Sequence, residues 1–305
     1  MFSSELWQEP AGEAGRHTRG IFGFGYNWST SSHTGVSNLV SNAGVVSTDV
    51  TGVGTGRTYP GAATYGGDKA IFAYGAIHAT YQNISNLVSN EGVVASDVTG
   101  VGSTRAMGDG GVGYGEDKGI FCFGYTGAYT SVSNLVSSSG VIATDTTGVA
   151  TGRMQPSSCS YDTDKAVYFS GYPPTSVSNL VSNLGVIATD TAGVGTARYG
   201  GGGVGYDEDK GIMAYGWIFG GSSTNVSNLV SNAGVIATDA TGVGTARAYV
   251  DGVTYDSDKG MFAYGSPGGG SGVNTINLVS TSGVIASDST GTGILSSFRG
   301  SSSFA

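Results

Sequence analysis

Three sets of residues have the types and spacing to do chemistry. The first is a series of aspartates, Asp49, Asp97, Asp145, Asp190, Asp239 and Asp288, recurring near Arg57, Arg105, Arg153, Arg198 and Arg247. A ring of carboxylates would suit acid–base work or a metal ion. Copying one residue type into every unit points instead to an ion pair between units or a turn cap, because scaffolds need such repetition and catalysis rarely does. The second set is three Asp-x-Asp-Lys turns, at Asp162/Asp164, Asp207/Asp209 and Asp256/Asp258. Calcium favours such oxygens, but the adjacent lysine and the lack of further acidic ligands favour an Asx-type turn. The third set is Cys122, Cys159, His17, His33 and His78, whose spacing matches no zinc site. Two cysteines make no disulfide framework, and Cys122 fills a slot held elsewhere by Gly23, Ala73, Ala214 and Ala263, so both read as small buried apolar residues. No catalytic residue, metal ligand or cofactor is assigned. A glycan-cleaving enzyme would need a converging carboxylate pair, and none is visible along the sequence.

The elements that would position these residues are set by an internal repeat. The string NLVS begins at Asn38, Asn86, Asn134, Asn179, Asn228 and Asn277, at spacings of 48, 48, 45, 49 and 49. Each unit alternates short β-prone runs of four to six residues with Gly/Asn/Asp turns, and no run holds a 3.6 period. The third run is apolar on both faces, as Val132, Leu135 and Val136 illustrate, so its sheet needs neighbours on both sides. Four strands per unit and six units describe a six-bladed β-propeller. Residues 301–305 supply the missing innermost strand of the first blade, because Phe304 falls in the register of Tyr65, Tyr114, Tyr161, Tyr206 and Tyr255. The division expected is an N-terminal extension, 1–19, that docks to a partner, and one propeller domain, 20–305.

The units resemble kelch repeats, with Phe72-Ala73-Tyr74-Gly75 standing for the aromatic strand and its glycines. Leu87 and Val93 fill the positions where kelch units carry tyrosine and tryptophan. The DKGIFAYG and SNLVSNxGVIATD wording also resembles repeat arrays of bacteriophage tail-fibre and other virion proteins. That resemblance implies a virion protein at a tail or fibre, attached to other virion proteins.

Topology separates a fixed face from a variable one. Turns ending in Asp-Lys and turns at Gly44, Gly92, Gly140, Gly185, Gly234 and Gly283 hardly vary; the six glycines imply positive φ. Loops between second and third strands, and between units, vary in length and content and share the other face. Tyr26, Trp28, His78, Tyr81, Tyr125, Tyr129, Tyr172, Trp217 and Phe219 lie there, and these are the candidate ligand-binding residues. Aromatic faces beside Asn and Ser suit sugars.

Net charge is −9 and only 11% of the 305 residues are charged. That argues against nucleic acid and membrane insertion as partners. The N-terminus lacks a basic start and an apolar core, so no secretory leader is expected. The function expected is therefore a non-enzymatic binding module, recognising a host-surface glycan or receptor from a virion, with a homo-oligomer allowed. A structural connector and a glycan-cleaving propeller are the alternatives.

Overall fold

The computed structural model describes residues 17–305. The expected docking segment lies, up to residue 16, outside the described residues. The chain is essentially all-β, with a single 3-10 turn at Pro267–Gly269 among the described residues.

Small antiparallel sheets follow one plan. In the second unit Gly61–Tyr65 pairs with Lys69–Ala73, which pairs with Ser85–Val88, in the register Ala63↔Ile71↔Leu87. In the first unit Arg19–Gly23 occupies the middle, between Gly300–Phe304 and Ser37–Val40. The middle strands carry apolar residues on both faces because each sheet is packed between two others. Ala63 and Ile71 share a cluster with Phe121 of the next unit, and Phe22 and Val40 share one with Val253 and Met261 of the last. The arrangement is β-propeller-like.

Two features differ from the four-strand expectation. The outer strand is mostly reduced to isolated bridges, such as Val40↔Val46 and Ser37↔Val50. The fixed asparagine causes this: Asn38 Nδ2 donates to Ser47 O and Asn86 Nδ2 to Ala95 O, so a side chain occupies the place of a ladder bond. The variable loops, in turn, are partly hairpin extensions. Tyr26–Asn27 pairs with Ser32–His33, Ala76–Ile77 with Thr80–Tyr81, and Lys118–Tyr125 continues against Tyr129–Val136.

The fixed turns join unit to unit. Gly66 N donates to Asp117 O, Gly115 N to Asp164 O, Asp162 N to Asp209 O, Asp207 N to Asp258 O and Asp256 N to Thr18 O, while Ala305 N donates to Asp68 O. Gly140 has φ +80, and a Cβ there would meet the Tyr65 ring at 2.9 Å, so this turn must be glycine for conformation and for space.

Candidate functional site

The repeated charges form six scaffold stations. Arg105 Nη2 donates to Asn134 Oδ1 at 2.6 Å, Asn134 Nδ2 donates to Asp145 Oδ1 at 2.9 Å, and Asp145 accepts from the Ser103 backbone and hydroxyl. The Arg105 guanidinium lies 3.9 Å from the centroid of the Tyr74 ring. Equivalent arginines contact Asn86, Asn179, Asn228 and Asn277. At the sixth station the register offers Ser296; Arg299 takes the role, donating to Asn38 Oδ1 and Ser296 Oγ and stacking on Tyr264. Burial works against the charge of Asp97, yet hydrogen bonds from Thr55 and Asn86 together outweigh it and hold that carboxyl below its ordinary range. Asp97, Asp145, Asp190, Asp239 and Asp288 each accept from an asparagine and a Ser or Thr, which gives them a scaffold role. The Asp-Lys turns hold exposed pairs such as Lys118–Asp117 at 2.7 Å.

The variable face gathers most of the sequence-predicted aromatics. Tyr81, Tyr125, Tyr129 and Tyr172 form a run of ring contacts at 5.8, 5.0 and 5.6 Å. The run continues through Tyr199 and Tyr249 to Phe298 and Tyr59. Trp28, Tyr26 and His78 form a second group, joined through His33. Trp28 is anchored, its Nε1 donating to Ser297 Oγ at 2.8 Å. Trp217 lies opposite Tyr199 in a strand pair, and Phe219 stands 78% exposed, outside both groups.

The long run ends at a collar of backbone hydrogen bonds. Tyr59 N donates to Phe298 O, Met107 N to Tyr59 O, Gln155 N to Met107 O, Gly200 N to Gln155 O and Tyr249 N to Gly200 O. Stacking of Tyr249 on Phe298 at 4.3 Å spans the remaining gap. Beyond the collar is a cavity of about 380 Å³, lined by the innermost strands. Those strands approach very closely: a Cβ on Gly203 would lie 2.1 Å from Ser158 O.

Two acids stand where collar and cavity meet. Asp109 lines both the cavity and the small pocket beneath the collar; Asp251 lines that pocket. Asp251 is 3% exposed and its Oδ2 has no hydrogen-bond partner. Burial raises its carboxyl to about 7 against the opposing pull of Arg299. Asp109 is pushed well above the ordinary range, by burial first and by the Asp251 charge second. It is deep in the protein, yet it keeps a partly open surface on the cavity. Burial favours the protonated form of both acids, the condition for a carboxyl that gives and receives a proton. Sequence reasoning passed over both. Their signal is a break in the repeat: Asp251 sits where other units have Gly61, Gly110, Ser157, Gly202 and Gly300, and Asp109 where they have Pro60, Pro156, Gly201, Val250 and Arg299.

The thiols are inert, since burial pushes Cys122 up to about 12 and Cys159 further still. Among the described residues no group of three or more His, Cys, Asp or Glu is arranged to hold a metal ion.

No protein-family model and no curated protein matches the chain. Among solved structures it is similar to a fungal alcohol oxidase of the AA5 family in complex with copper. The TM-score is 0.60 at 14% identity, over 92% of this chain and 65% of that one. The likeness carries the fold. Among the described residues the soft donors are not gathered for copper: His33 Nε2 already accepts the His78 backbone N–H at 3.2 Å, and the two thiols lie in separate core clusters.

These findings correct the sequence reading. The solved relative is a catalytic oxidase, which overturns the kelch and phage resemblance, the non-enzymatic host-recognition module, the virion partners and the tail-fibre location. The physical reason is visible in the stations. The DKG and SNLVS wording that carried the phage resemblance encodes Asp-Lys turns and the Asn–Arg–Asp network, so it describes a scaffold and is silent about partners.

Proposed function

We propose that the chain is an enzyme that cleaves glycans at the axis of a six-bladed propeller. In this reading residues 20–305 are one domain, and the C-terminal strand completes the first blade. The observation that carries it is the unpartnered, buried Asp251 beside Asp109, at the junction of an aromatic collar and a cavity. The neutral member of the pair donates its proton to the glycosidic oxygen as the C–O bond breaks. The ionised member takes a proton from the water whose oxygen bonds to the anomeric carbon. The aromatic run, with Tyr81, Tyr125, Tyr129 and Tyr172, gives flat faces on which sugar rings stack and leads a chain toward the collar. Likeness to an enzyme of hydroxyl-bearing substrates supports this class of ligand. The test is release of reducing ends from a polysaccharide panel. The parent releases them and Asp251→Asn and Asp109→Asn are slower by about 10²–10⁴-fold; no release from any polysaccharide, or variants at the parental rate, overturns the reading.

A further inference from the structure

The cavity below the acid pair has a chemistry of its own. Five of its hydroxyl protons are spent on main-chain carbonyls: Ser158 donates to Gly111 O, Ser160 to Gly113 O, Thr64 to Ser303 O, Ser301 to Gly252 O and Thr254 to Gly205 O. Thr254 and Ser301 also accept from Gly205 N and Gly252 N, and each of the five oxygens keeps acceptor capacity, so this part of the wall suits a donor. Charge has the same sense. Asp109 lines the upper end, Glu116 and Glu208 line the lower, and among the described residues no lysine or arginine lines the cavity. Among the described residues His17 is the one basic side chain of the lining; burial lowers it to about 4, which keeps it neutral, and its Nδ1 has no partner. At the neck the buried Asp251 Oδ2 is likewise unpartnered.

We infer that this cavity takes a sugar unit bearing a free ammonium group, so that the substrate is an amino-sugar glycan. The inference rests on the glycan-cleaving reading and narrows it. An ammonium group supplies three donors to a wall of acceptors. Its charge complements the carboxyl groups that line the cavity, Asp109 at one end and Glu116 at the other. A neutral sugar would leave those carboxyls uncompensated in a confined site. An N-acetyl group adds bulk, removes the charge and leaves one donor in place of three.

The experiment titrates the full chain with glucosamine, N-acetylglucosamine and glucose at pH 6, followed by calorimetry and by amide shifts of the innermost strands. Glucosamine is expected to bind at least tenfold more tightly than either neutral sugar and to shift residues around Ser160 and Thr254. The Glu116→Gln/Glu208→Gln variant, changed only at exposed side chains, is expected to lose about tenfold of that preference. Ser160→Leu, which fills the cavity, is expected to abolish binding, with its melting curve as the check on folding. Equal binding of glucose and glucosamine, or undiminished binding in a folded Ser160→Leu, overturns the inference. Glucosamine bound as expected, with no polysaccharide cleaved, would instead remove the hydrolytic reading and leave the cavity assignment standing.

Discussion

The buried charges of the six stations and the buried acids Asp109 and Asp251 differ in how the charge is held. Every station arginine donates to its asparagine and meets an aromatic face, although the Nε of Arg105, Arg153, Arg198 and Arg299 stays unpaired, whereas the carboxyl of Asp251 has an oxygen with no donor. Arg105, fully buried, meets Asn134 and an aromatic face, and Asp145 accepts from Asn134 and Ser103. Asp251, equally buried, has an oxygen with nothing to accept from. The stations are copied from unit to unit; Asp109 and Asp251 are each a departure from the repeat. Repetition favours charges that keep at least one strong partner, since a buried charge with none costs several kcal/mol and would be multiplied by the number of units. An unpartnered carboxylate oxygen at a cavity, on a residue that breaks the repeat, is the kind of local conflict that marks a functional position.

The contrast can be broken at either end. Arg105→Ala leaves Asn134 Oδ1 without its donor and a void beside Tyr74; we expect a loss of about 3–5 kcal/mol in urea unfolding. Asp251→Asn should act in the opposite direction, and only at high pH. A carboxyl raised from 3.8 to about 7 favours folding fully below pH 4, and that contribution is lost as pH rises through 7. The variant should therefore gain about 4 kcal/mol on the parent between pH 4 and pH 8, by the same unfolding assay. A pH-independent difference would mean that the axial carboxyl has a partner after all.

Smaller effects sharpen the comparison. Gly140→Ala forces a Cβ at φ +80 against Tyr65 and Leu87, at a cost of about 1–3 kcal/mol. On the variable face, Tyr172→Ala interrupts the aromatic run and should raise KM about tenfold with kcat unchanged. Phe219→Ala, outside the run, should leave both unchanged; a larger effect there than at Tyr172 would relocate the binding surface.

Much of the scaffold was legible because it is written several times. The Asn, Asp, Arg and Gly slots, the all-β character and the pairing partner of Arg19–Gly23 could be read by laying the units side by side. What repetition hides was not legible. Arg299 replaces an absent slot residue from three positions away, and the asparagine side chain displaces the outer ladder; both depend on the third dimension. The aromatics were found, but Trp217 and Phe219 could not be told from Tyr172 without knowing which hairpins approach one another. Asp109 and Asp251 are far apart in the chain, and only the packing of their units brings their charges within reach of each other. A search of the aligned units for polar residues that break their slot would have found them.

One titration compares both regions at once. Carbon-detected NMR of the aspartate carboxyls, from pH 2 to 9, reports each side chain in the same sample. Asp97, Asp145, Asp190, Asp239 and Asp288 should titrate below the ordinary aspartate value of 3.8, and Asp251 near 7. An Asp251 that titrates with the others, near or below 4, would contradict an unpartnered acid at the axis and with it the chemistry proposed there.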